Sequence, residues 1–116
     1  MSWRRWHAPW PDPQRPRPRA HEVSPVLVLT WELRLPGCRS LKEKRSVIRS
    51  LKDRLRHRFK VSVAETGCQD LTDRGELTVA LVSSDGRLAQ SLADRLDRFV
   101  AERGGAVVTS TRKAVV

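Results

Sequence analysis

From Val26 to Leu35 the chain alternates: Leu27, Leu29, Trp31, Leu33 and Leu35 fall on one side, with Thr30, Glu32 and Arg34 on the other. A period of two is that of a strand with one buried face. Pro36-Gly37 ends it, and Ser40-Leu41-Lys42-Glu43 has the spacing of a capping box. In that motif a Ser hydroxyl and a Glu carboxylate take up free N–H groups at a helix start, so a helix is expected to run on to about Arg58. Phe59 to Thr66 is short and rich in β-branched residues, Gly67 to Gly75 is a polar turn region, and Glu76 to Ser84 alternates again through Leu77, Val79 and Leu81. The two flanking segments are expected to pair as a hairpin. Ser83-Ser84-Asp85-Gly86 supplies caps for a second helix, in which Leu88, Leu92, Leu96 and Phe99 recur at helical spacing until Gly104-Gly105. Ala106 to Val116 completes the series as a last strand.

The resulting order is β-α-β-β-α-β, the split βαβ pattern of ferredoxin-like α+β domains. Such a domain has a four-stranded antiparallel sheet with both helices on one face. It is assigned to residues 25–116. The opening 1–24 holds five of the seven prolines together with Trp3, Trp6 and Trp10, and shows no period of either kind. It is expected to be a disordered tail. Its alternatives are an arginine-and-tryptophan arm that touches RNA or protein, and a start codon placed upstream of the native one.

Composition sharpens this picture mainly through charge. The net charge is +10 over 116 residues. Residues 1–24 carry five Arg against two acids, and residues 39–60 carry ten Lys or Arg against two acids. A basic excess gathered in one segment points to an anionic partner, most often nucleic acid. No apolar run approaches the roughly 20 residues that span a bilayer, and the start lacks the apolar centre of a signal peptide. A cytoplasmic location is expected. Cys38 and Cys68 show no Cys-x-x-Cys spacing, so they are expected to be separate thiols, with no metal set and no cofactor.

On a helical projection of residues 41–58, Leu41, Ile48, Leu51 and Leu55 share one face, with Val47 at its margin. Lys42, Arg45, Arg49, Lys52 and Arg56 form a stripe beside it. Such a stripe can follow a phosphate backbone, each neutralised phosphate releasing counterions. The alternative is an ordinary solvated helix face. Few acids are interleaved to offset the repulsion of a few tenths of a kcal/mol per like pair. In the expected topology the Pro36–Ser40 loop, the helix start and the Gly67–Gly75 turn share one end of the sheet. There Arg39, Lys42 and Arg45, with Gln69, Asp70 and Arg74 opposite, would surround a helix N-terminus able to attract an anion, unless the Glu43 carboxylate takes those donors.

No nucleophile, base and orienting group come together, and no carboxylate pair does so either. The domain is therefore expected to be non-catalytic. The third strand, Glu76 to Val82, lacks the aromatic residues on which an RRM stacks bases. RNA would be met through the helix and loops instead. The open sheet face, with Val28, Ala80 and Val82 among Thr and charged residues, could instead bury itself against a second copy, as could an edge strand.

The run Glu32-Leu33-Arg34-Leu35-Pro36-Gly37-Cys38-Arg39-Ser40-Leu41-Lys42-Glu43-Lys44-Arg45, followed by Phe59-Lys60-Val61-Ser62-Val63-Ala64-Glu65, resembles the YlxP-like family of short bacterial proteins of unassigned function. Gln69-Asp70-Leu71 and Val82-Ser83-Ser84-Asp85 extend the likeness, which covers about residues 26–116. The resemblance implies a ferredoxin-like fold. Through the family's gene neighbourhood beside translation-initiation and ribosome-maturation factors, it also implies a link to ribosome assembly. It departs from the family pattern at Cys68 and Thr72, where a His and a Trp are expected. The functional expectation is a non-catalytic RNA- or ribosome-associated domain, with Lys42, Arg45, Arg49, Lys52 and Arg56 on phosphates and Arg39, Lys44 and Arg74 in support. The partner would be ribosomal RNA or a ribosomal subunit. A homo-oligomeric interaction module is the alternative.

Overall fold

A computed structural model describes residues 26–103 and 105–116. The expected tail at 1–24 lies outside them, as does Gly104. The described chain runs β1 (Val26–Arg34), α1 (Leu41–Phe59), β2 (Ser62–Gly67), β3 (Arg74–Val82), α2 (Gly86–Arg103) and β4 (Val107–Val115). The strands form one sheet in the order β2-β3-β1-β4, every neighbouring pair antiparallel. This is the ferredoxin-like α+β arrangement that the periodicities predict.

β1 is central, and its alternation is realised without exception: Leu27, Leu29, Trp31, Leu33 and the following Leu35 are all buried. Leu77, Val79 and Leu81 of β3 and Val63 of β2 continue the same surface, and α1 covers it with Ile48, Leu51 and Leu55. Gly75 lies on the buried face opposite Leu33. A Cβ there would stand 3.1 Å from Ile48 Cδ1, so the missing side chain is what lets α1 approach β3.

Several boundaries differ from expectation. Phe59 ends α1 instead of opening a strand, and Lys60 follows as a left-handed cap at φ 53°, its N–H donating to Arg56 O. β3 begins two residues early, at Arg74, because the turn is tied back by Leu35 N–H donating to Asp73 O at 2.8 Å. α2 is capped by Asp85, whose Oδ1 accepts the Arg87 N–H at 2.9 Å. Its buried face is made by Ala89, Ala93, Leu96, Phe99 and Val100, while Leu88, expected in the core, is 57% exposed. Ala89 and Ala93 share the helical face of Leu96 and Val100, a periodicity that the spacing of the large residues alone does not reveal.

Trp31 is wholly buried, and its indole N–H donates to Asp97 Oδ1 at 2.8 Å. The other Asp97 oxygen lies 3.0 Å from Lys113 Nζ, so one carboxylate joins β1, α2 and β4. Its hydrogen bond is the largest cause of a raised Lys113 pKa. Replacing Asp97 by Ala leaves a buried indole N–H without an acceptor, a loss of about 1–3 kcal/mol. Chemical denaturation of Asp97→Ala against the parent measures it, and Asp97→Asn, which keeps an acceptor, should lose less.

Candidate nucleic-acid interface

The basic segment becomes an outward-facing helix because its apolar residues have only one face to occupy. Ser40 Oγ accepts the Glu43 N–H at 3.1 Å, and Glu43 Oε2 in turn accepts the Arg39 N–H at 2.8 Å. The capping box therefore forms, with the carboxylate bonding one residue ahead of the cap. The same carboxylate occupies a donor at the very end where an anion was considered. Gln69 of the facing turn donates to Glu65 O at 3.2 Å.

Of the five stripe residues, Lys42, Arg45, Arg49 and Arg56 are exposed and Lys52 is half-buried. Arg56 is also engaged structurally, donating to Val63 O of β2 at 2.9 Å and standing 3.8 Å from Asp53. The lower end of the stripe thus leans on the sheet edge, and its upper end faces solvent. Lys42, Arg45, Ser46, Arg49, Ser50, Asp53 and Arg54 line an open groove of about 710 Å³ along α1. Four cations and two hydroxyls face a single carboxylate there, an arrangement suited to a chain of phosphates.

The supporting residues separate. Arg39 is exposed beside the helix start. Arg74 is the register partner of Arg34 at the end of the β1–β3 ladder, which puts both on the sheet face away from the helices. Lys44 is a correction: it is wholly buried and presents no charge to solvent. Its Nζ donates to Cys68 O and lies 3.8 Å from Glu65 Oε2, a buried oxygen that has no hydrogen-bond partner among the described residues. The signal was present in the spacing, since Lys44, Ile48, Leu51 and Leu55 sit at i, i+4, i+7 and i+11 of the core face.

Lys44 also explains the turn. By holding Cys68 O it fixes the residue at which the chain leaves β2, and Cys68 adopts a left-handed φ of 58°. Cys68 is exposed and Cys38 half-buried, both free thiols.

A second cationic region was not visible in the sequence. Phe59 at the end of α1 meets Phe99 of α2 edge-on, with ring centroids 5.4 Å apart. Arg58 lies over both rings, at 5.8 and 5.4 Å, Arg95 over Phe59 at 5.7 Å and Arg54 over Phe99 at 5.8 Å. Arg54 also donates to Arg103 O at 2.6 Å, tying the antiparallel helices together. Arg95, Arg98 and Arg103 are dispersed along α2 in sequence, and only the pairing of helices brings them beside Arg58.

The fold and this surface define a small ferredoxin-like α+β domain with a cationic helix layer. The chain belongs to the family described as "Protein of unknown function (DUF503)", whose profile matches residues 26–113. It is similar to the "Uncharacterized protein YlxP" of Bacillus subtilis (strain 168), at 36% identity over 61 residues. That stretch is 53% of this chain and 66% of the relative. No helix among the described residues is long and apolar enough to cross a membrane.

Removing the Lys44 ammonium leaves Glu65 and the Cys68 carbonyl without their buried partner. Lys44→Met should therefore cost roughly 2–4 kcal/mol in denaturant unfolding. The double variant Lys44→Met/Glu65→Leu should recover part of that loss. RNA affinity of the folded Lys44→Met protein should equal that of the parent, since the residue contributes no surface charge.

Proposed function

We propose that this domain is a non-catalytic RNA-binding element that serves ribosome assembly or translation. It meets ribosomal RNA or a ribosomal subunit through the outer surface of α1. The observation that carries the reading is the α1 groove, where Lys42, Arg45, Arg49 and Arg54 face one carboxylate. An ordinary solvated helix distributes acids among its bases at i,i+4, and here Asp53 alone stands among the four cations. Recognition of this kind reads charge and shape and is strongly salt-dependent. The ribosomal part of the reading rests on the resemblance to the YlxP-like family.

A second reading is favoured by the open sheet face. Val26, Val28, Ala80 and Val82 stand together on register-paired β1 and β3, and Val82 is 69% exposed. Ala114 of β4 is the register partner of Val28, and on β2 Ser62 stands opposite Ala80 with Ala64 opposite Thr78. A row of hydroxyls, Thr66 to Thr78 at 2.8 Å and Thr78 to Thr30 at 3.1 Å, bounds this apolar half. Beyond it Glu76 pairs with Arg112 at 3.6 Å. A second copy of the domain is the occupant such a face would take.

The two readings separate experimentally. Arg45→Glu/Arg49→Glu should weaken binding to ribosomal subunits on the order of tenfold and lower the salt slope by about 1.4 for a single strand. The measurement is a titration of subunits, and of random RNA of matched length, across a salt series; parental affinity in the double variant would dismiss the α1 surface. Ala80→Glu should leave RNA binding intact. If the sheet-face reading holds, light scattering of that variant should show loss of a dimer that the parent forms.

A further inference from the structure

We propose that the RNA path continues from α1 onto α2, where a hollow between the helices holds a phosphate of a single RNA strand with its base stacked on the arginine planes. The inference rests on the RNA reading above and names the form of RNA and the residues beyond α1 that receive it.

The first support is continuity. The α1 groove shares Asp53 and Arg54 with a second hollow lined also by His57, Arg58, Phe99 and Arg103. That hollow shares Arg58, Phe99 and Arg103 with a third, an open one lined also by Phe59, Arg95, Arg98 and Glu102. The three hollows adjoin one another through these shared walls, in succession from α1 across to α2. Their walls carry eight Lys or Arg residues against Asp53 and Glu102, a strong complement to a polyanion.

The second support is what packing leaves unexplained. Stacked arginines join helices, and each such contact contributes about 0.5–1 kcal/mol at an exposed site. That accounts for Arg54, Arg58 and Arg95, whose guanidinium groups lie over Phe59 or Phe99. It does not account for Arg98 and Arg103, which line the same hollow without such a contact. Among the described residues neither forms an ion pair. Arg103 is favoured by the helix dipole in the last turn of α2, and Arg98 stands four residues from Asp94 and from Glu102, but two further cations in one depression still raise its repulsion, which a phosphate placed among them would relieve.

The form of the RNA follows from the third hollow. At about 260 Å³ it is smaller than the roughly 300–1,000 Å³ of sites that enclose whole small ligands. It accommodates one phosphate and an adjoining base. A single strand can place an unstacked base on an arginine plane, as a duplex with its bases stacked inside cannot. Contacts to phosphates and to π-faces do not read base edges, so tolerance of sequence is expected.

The test uses the full chain, a fluorescent single-stranded RNA of twelve nucleotides and a duplex of twelve base pairs, titrated across a salt series. Arg98→Glu/Arg103→Glu keeps every arginine–phenylalanine contact described above. It should weaken single-strand binding on the order of tenfold and lower the salt slope by about 1.4, with a much smaller effect on the duplex. Arg98→Gln/Arg103→Gln should act in the same direction by less; circular dichroism melting should stay near the parent for the Gln variant and fall modestly for the Glu variant, which places an acid in the last turn of α2, with both folded at the assay temperature. Parental single-strand affinity and slope in the folded Glu variant overturn the inference. If Arg45→Glu/Arg49→Glu is weakened at the same time, the RNA reading stands without it; if neither variant is weakened, both fail. Equal losses on single strand and duplex, or equal displacement of the RNA by polyglutamate of matched charge, also overturn it.

Discussion

The structure depends on the burial of one face of β1. Leu27, Leu29, Trp31, Leu33 and Leu35 present a continuous apolar row in the middle of the sheet, and no one helix is wide enough to cover it with its neighbours. Both helices are drawn to that face, α1 over the β2 side and α2 over the side of β1 and β4. The helix cations that cannot join the core are turned outward on the same layer, while Arg34, Arg74 and Arg112 stand on the opposite sheet face. The cationic depression is thus a consequence of how the sheet is covered, since two amphipathic helices lying side by side must leave a furrow between their polar faces.

Two polar groups are enclosed in that apolar arrangement, and both act as registers. Trp31 needs an acceptor for its indole N–H and finds it in Asp97, which is held in turn by Lys113. Lys44 needs acceptors for an ammonium taken wholly out of water and finds Cys68 O and Glu65. A buried pair of this kind recovers its desolvation cost only when its geometry is met, so each restricts how the helices and turns may be placed. Lys44 fixes the β2–β3 turn against α1, and Asp97 fixes α2 against the sheet. The arginines between the helices are consequently mounted on rigid elements, with Arg54 bound to the opposite helix and Arg58 resting on two rings.

The same surface admits a uniform physical description. Its cations compensate no nearby carboxylates apart from Asp53 and Glu102, its aromatic rings lie beneath guanidinium groups, and its length follows α1 before crossing to α2. The opposite sheet face differs in kind, with short apolar side chains bounded by threonine hydroxyls. The cationic depression and the apolar patch lie on the two sides of one sheet, so variants in one should leave the other unaffected.

The sequence by itself determined the element order, the alternating core face of the strands, the capping box and the cationic stripe of α1. Each is set by spacing along a single element, where a period of two or 3.6 decides which side a residue occupies. Tertiary structure alone decided the rest. It took Lys44 out of the basic surface, because a fully buried lysine is settled by the Cys68 carbonyl and Glu65 that arrive from another part of the chain. It put Ala89 and Ala93 in the core and left Leu88 outside, because packing sets the rotation of α2 about its axis, with Ala89, Ala93, Leu96 and Val100 toward the sheet and Leu88 to one side. It also gathered Arg58 with Arg95, Arg98 and Arg103, which are some forty residues apart in sequence and adjacent only because α1 and α2 lie antiparallel on the same face. Local periodicity specifies a direction for each side chain, and only the packing of elements specifies what it meets.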